Sequence, residues 1–209
     1  MDQWVYCGEG DSSSGLKPEE NVPICRCAIN SVIGHRSPAH SIKSNHLPLF
    51  RQTPQTMTLK EMLLSQLKTT HNKAEWSVPL NVAIDGLTAD QANWKEKVAD
   101  HSIAELTTHI IFWNQDQLSK FLNQASPKYS GDNNETFKPV DKISWPATVK
   151  EADSVLINWE NAIEAADENK LAAWYEIIGY ISTHNAYHTG QIVYIRKVQG
   201  SWNPEKGVK

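Results

Sequence analysis

Apolar residues recur every three to four positions only from Met57 onward. In "MTLKEMLLSQLKTTH", Leu59, Met62, Leu63 and Leu67 share one side of a helix predicted from Thr58 to about Glu75. Thr58, with Glu61 three residues later, has the form of a capping box. A short piece follows Pro79 and stops near Gly86, and a turn capped by Thr88 or Asp90 comes next. A second long helix is predicted from His101 or Ser102 to Gln124, and a third from Thr148 to Glu168. The fourth runs from Leu171 to Val198, with Gly200 as a left-handed stop. No stretch alternates with a period of two. Four long amphipathic helices predict an all-α four-helix bundle. The polar connection "SPKYSGDNNETFKPVDKISWP" is longer than a compact domain usually needs, which predicts a functional or mobile segment.

Residues 1–56 follow neither period. They hold five of the ten prolines and the run "DSSSG", and their charges cancel. Such a stretch has little with which to build a core. The expected division is an N-terminal extension over 1–56, disordered or non-native, and a bundle domain over 57–209, with Met57 as a natural or alternative start.

Composition narrows the function. Net charge is −4 and no run of lysine or arginine occurs, which argues against a nucleic-acid partner. No segment approaches the ~20 apolar residues that span a bilayer, and the N-terminus lacks a basic-then-apolar leader. The protein is therefore expected to be cytoplasmic, with no membrane partner. Cys7, Cys25 and Cys27 all precede residue 30 and do not read as a disulfide framework or a zinc motif.

The chemistry gathers in "HNAYHTGQI". His184 and His188 lie about 40° apart at 100° per residue, on a stripe with Ile177, Ile181 and Ile195. Two imidazoles on an apolar face need hydrogen bonds or a metal ion. At this point a satisfied structural pair and a pair of ligands are equally open. A third ligand has to come from another helix. His35, His40 and His46 fall in the unpatterned region; His71 ends the first helix; His101 opens the second long helix, in a cap or solvent role. His109, mid-helix with Leu106 and Trp113 one turn to either side, is the best candidate. Among its neighbours, Glu105 reads as a partner of a ligand, a general base or a surface carboxylate. Gln191 reads as a group orienting a ligand or as a packing bond. Gly190 predicts close helix–helix approach, Tyr187 a structural anchor, and Trp113, Trp145, Trp159 and Trp174 core positions.

"HSIAELTTHIIFW", the later "WP" and "HNAYHTGQIVYIRKVQGSW" together resemble the DinB/YfiT-like superfamily of four-helix-bundle proteins, over about Met57 to Trp202. The resemblance implies a divalent metal held by His109, His184 and His188, with zinc, nickel and manganese equally compatible. It further implies a small-molecule substrate, a possible homodimer, and a metal-dependent transferase that uses a low-molecular-weight thiol. Glu105 and Gln191 would assist catalysis. A hydrolase using water on the metal, and a non-catalytic metal- or small-molecule-binding bundle, are the alternatives. The chain after Cys27 has no cysteine and no G-x-S-x-G, so an external nucleophile is expected.

Overall fold

A computed structural model describes residues 56–96 and 100–208. Apart from Thr56, the reading of 1–56 lies outside the described residues, as do those of the three cysteines and of His35, His40 and His46.

The described elements are helices joined by turns. They are α1 (Leu59–His71), α2 (Leu80–Ile84), α3 (Ala89–Asn93), α4 (Ile103–Phe121), α5 (Trp145–Ala165) and α6 (Glu168–Val198). Short 3-10 turns occupy Asn133–Thr136 and Pro204–Lys206. Local chemistry sets most boundaries. Thr58 with Glu61, Thr88 with Gln91, and Ser102 with Glu105 each form a complete capping box. The α3 cap is therefore Thr88 rather than Asp90, and the α4 cap is Ser102 rather than His101. Helix α1 stops at His71, four residues before the predicted Glu75, where the Asn72 and Lys73 amides both close onto the Lys68 carbonyl. Helix α4 stops at Phe121 because Asn123 takes a left-handed conformation, and the amide of Gln124 closes on the carbonyl of Ser119. Gly200 performs the same closure after α6, as its sequence position predicts. Helix α5 begins at Trp145, earlier than Thr148, since Pro146 is tolerated in a first turn.

The four long helices pack as α1 against α5 and α6, and α4 against α5 and α6. Named contacts give the directions. Lys60 bonds to the carbonyl of Glu164 while His71 meets Asp153, so α1 and α5 are antiparallel. Gln115 meets Glu151 and Phe121 meets Trp159, so α4 and α5 are parallel. His109 faces His184 while Phe121 faces Trp174, so α4 and α6 are antiparallel. The order is up-down-down-up. This topology explains the long polar connection, because parallel α4 and α5 oblige the chain to travel back along a helix of about 28 Å.

The interior between the helices is filled by Leu67, Ile103, Ile110, Leu156, Ile163, Ile178 and Ile192. Trp145 and Trp159 are buried as expected of core tryptophans, and their indole N–H groups donate to the carbonyls of Leu87 and Asn114. Trp113 and Trp174 only pack against the edge of the core.

One polar cluster pins α1 to α5. His71 is fully buried, with Nδ1 2.6 Å from Glu160 Oε1 and Nε2 2.8 Å from Asp153 Oδ1. The Asn81 amide also donates to Asp153. These bonds hold the Asp153 carboxyl below its usual range, led by the one from His71.

Candidate metal centre

His109 sits in the middle of α4 at 2% exposure, because Leu106 and Ile110 beside it enter the same core. His184 and His188 project from α6 one turn apart, and the antiparallel pairing of α4 with α6 brings them opposite His109. One ring nitrogen from each of the three lies within 4.8 Å of the others. The sequence-predicted trio is therefore brought together in space.

The outer bonds of the rings decide which nitrogens face inward. Thr136 donates its hydroxyl proton to the carbonyl of Asn133 at 2.6 Å, so its oxygen accepts from His109 Nδ1–H, also at 2.6 Å. His109 Nε2 is left with its lone pair. The carbonyl oxygen of Gln191 accepts from His188 Nδ1–H at 2.7 Å, which leaves His188 Nε2 free in the same way. His184 Nε2 lies 3.0 Å from His109 Nε2, and His184 Nδ1 is buried without a partner. Two imidazole lone pairs at that distance repel unless a proton or a cation stands between them. Inward Nε2 lone pairs held by outer Nδ1–H bonds, as at His109 and His188, are what metal-ligating imidazoles present. The residues fit a divalent ion.

Burial keeps the rings neutral. It pushes His109 down to about 2, helped by the neighbouring His188 and His184, and His184 down to about 4, helped by His188. His188 is also lowered by burial, against the opposing bond to Gln191. At neutral pH all three have lone pairs to offer.

The crossover between α4 and α5 contributes what periodicity had no means to find. Thr136 fixes the tautomer of His109, and Phe137 stacks on the same ring at 3.9 Å between centroids. The other face of Phe137 carries His101, stacked at 3.7 Å. His101 is thus part of an aromatic stack rather than a helix cap, and burial lowers its pKa. Thr136 stands 27 residues from His109, in a segment with no repeating pattern to flag it.

Glu105 and Gln191 occupy different settings. Burial would raise the Glu105 carboxyl, but the bonds from Lys95 and the Ser102 amide hold it low. Its described partners are Lys95, the Ser102 amide and, at 3.9 Å, His101. Gln191 touches His188 directly and donates to the Tyr187 hydroxyl at 3.3 Å. Tyr187 is 62% exposed, with its ring edge on His188, so it is a surface residue rather than an anchor. A Cβ added at Gly190 would meet nothing within 4 Å, so the expected close helix approach is not there. Gly190 instead opens the wall of a cavity of about 550 Å³, which His101, Leu106, Tyr187, Gln191 and Tyr194 also line. Two of its lining residues border the histidine group without opening onto it: Gln191 bonds His188, and His101 stacks on the Phe137 that covers His109.

An up-down-down-up helical bundle with a three-histidine group on its second and last long helices defines a candidate metal-binding bundle protein. The sequence profile of the DinB superfamily matches residues 79–192, more than half of the chain, and the chain belongs to that superfamily. No curated protein and no solved structure matches it. No described helix is long and apolar enough to cross a membrane.

Proposed function

We propose that this protein is a metal-dependent enzyme that activates a low-molecular-weight thiol for transfer to small electrophiles. The observation that carries the reading is the convergence of three neutral imidazoles, two of which, His109 and His188, have outer bonds that turn their Nε2 lone pairs inward. His109, His184 and His188 are the ligands of a divalent transition ion, with zinc, nickel and manganese all suited to imidazole. Such an ion lowers the pKa of a coordinated thiol and so supplies a thiolate at neutral pH.

The chain's own residues account for the rest. Desolvation of His109 and His184 leaves them unprotonated, so no proton competes for their lone pairs at neutral pH. His184 is only partly buried, which supports access for a small molecule from that side. Gln191 orients His188 and borders the cavity, whose volume suits a small aromatic or aliphatic electrophile. Glu105 assists through the His101 end of that cavity. An external thiol suits a chain whose cysteines all precede residue 30. A homodimer is part of the same reading, supported by exposed Tyr180, Tyr187 and Tyr194 at seven-residue spacing on α6.

Cobalt loading followed by thiol titration tests the proposal. The expected results are about one ion per chain, a thiolate-to-cobalt absorption band with bacillithiol, mycothiol or glutathione, and consumption of a chlorinated aromatic acceptor. His188→Ala should abolish all three. Metal uptake without a thiol band would remove the thiol step, and wild-type protein refractory to zinc, nickel, manganese and cobalt would remove the centre itself.

A further inference from the structure

Between α4 and α6, the described side-chain hydrogen bonds are the His109–His184 contact and one other pair. Asn114 Nδ2 donates to Asn185 Oδ1 at 2.7 Å, and Asn185 Nδ2 returns a bond to Asn114 Oδ1 at 3.2 Å. Both side chains are completely buried. Asn114 Nδ2 also reaches the carbonyl of Ile110, and its own carbonyl accepts from the Trp159 indole of α5. The flanking contacts are apolar, with Ile110, Ile181 and Ile192 in the core and Phe121 against Trp174.

We infer that the reciprocal Asn114–Asn185 pair is the register lock that places His109 against His184 and His188, and hence a positioning element of the metal centre. This rests on the metal reading above. Isoleucine and phenylalanine surfaces bury nearly as well after a slip along the helix axis, so they set register weakly. A slip of one turn would part the two asparagines by about 5.4 Å and leave buried amide groups unpaired, which costs more than the bonds themselves contribute. Asn114 follows His109 by five and Asn185 precedes His188 by three, so on antiparallel helices the Asn114–Asn185 and His109–His188 pairs share nearly one register. A matched apolar pair would fold the bundle at least as well, whereas a buried polar pair serves to specify alignment.

The test is the double variant Asn114→Leu/Asn185→Leu, with Asn114→Ala/Asn185→Ala in its place should the leucines overpack. Two readouts are needed. Cobalt affinity should fall at least tenfold while the melting temperature stays at or above that of the wild type. Spin labels at Lys120 and Tyr175, with the three native cysteines changed to serine, should show a single α4–α6 distance in the wild-type background and a shifted or broadened one in the double variant. An unchanged distance distribution overturns the lock. A changed distribution with cobalt affinity within threefold of wild type overturns its link to the centre. Wild-type protein that binds no cobalt refutes the metal reading instead, and the distance measurement then decides the lock alone.

Discussion

The Nδ1–H of His109 donates to Thr136 Oγ1 at 2.6 Å, so a residue of the α4–α5 crossover sets the protonation pattern of a ring on α4. Removing that acceptor frees the ring to flip or to adopt the other tautomer. Thr136→Val should weaken zinc or cobalt binding by roughly 10–100-fold, and Thr136→Ser should restore most of it. Competition titration against a chelating dye measures both.

Acid should destabilise the metal-free protein through the same rings. His109 and His184 titrate near 2 and 4 in the folded chain, below the unfolded value of about 6.5. A depressed histidine contributes stability that is present above the unfolded pKa and is lost as pH falls toward the folded one. Between pH 6.5 and 4 the unfolded chain binds more protons, with a slope approaching two protons from these rings. Denaturant unfolding in chelator at pH 7, 6 and 5 should trace that decline, and His184→Gln should make it shallower.

Gly190 offers a simple test of packing. Its added Cβ meets nothing, and its φ is not positive, so Gly190→Ala should raise stability by about 0.5–1 kcal/mol through helix propensity alone. Thermal melting would reveal the opposite sign if a helix packed closely there. The same change narrows the cavity beside Gln191, so ligand affinity should move while metal affinity does not.

His71 is expected to matter for folding and not for the metal. Its two carboxylate partners come from α5, and none of its contacts touch the three-histidine group. His71→Ala leaves Asp153 and Glu160 facing each other, and with Asp153 partly solvated the loss should be about 2–3 kcal/mol. Chemical denaturation should register that loss, with metal stoichiometry unchanged.

The site was legible in the sequence to different depths. His184 and His188 stand one helical turn apart, and His109 sits beside an apolar stripe, so their shared inward direction follows from a period of 3.6. Thr136, Phe137 and the Asn114–Asn185 pair carry no such signal. Asparagine in mid-helix reads as surface until a second asparagine is found opposite it. Gly190 and Tyr187 depart from the sequence expectation for the complementary reason, since a one-dimensional pattern does not tell a face that meets another helix from one that meets a cavity or solvent.

Helix existence, most caps and the all-α class were determined by the sequence itself, because capping boxes and apolar spacing act within a few residues. Tertiary structure decided the rest. The parallel pairing of α4 with α5, the crossover laid over His109, and the register that brings His109 Nε2 to 3.0 Å from His184 Nε2 join residues 27 to 75 positions apart. Contacts of that range depend on which buried polar groups find partners once the helices have packed.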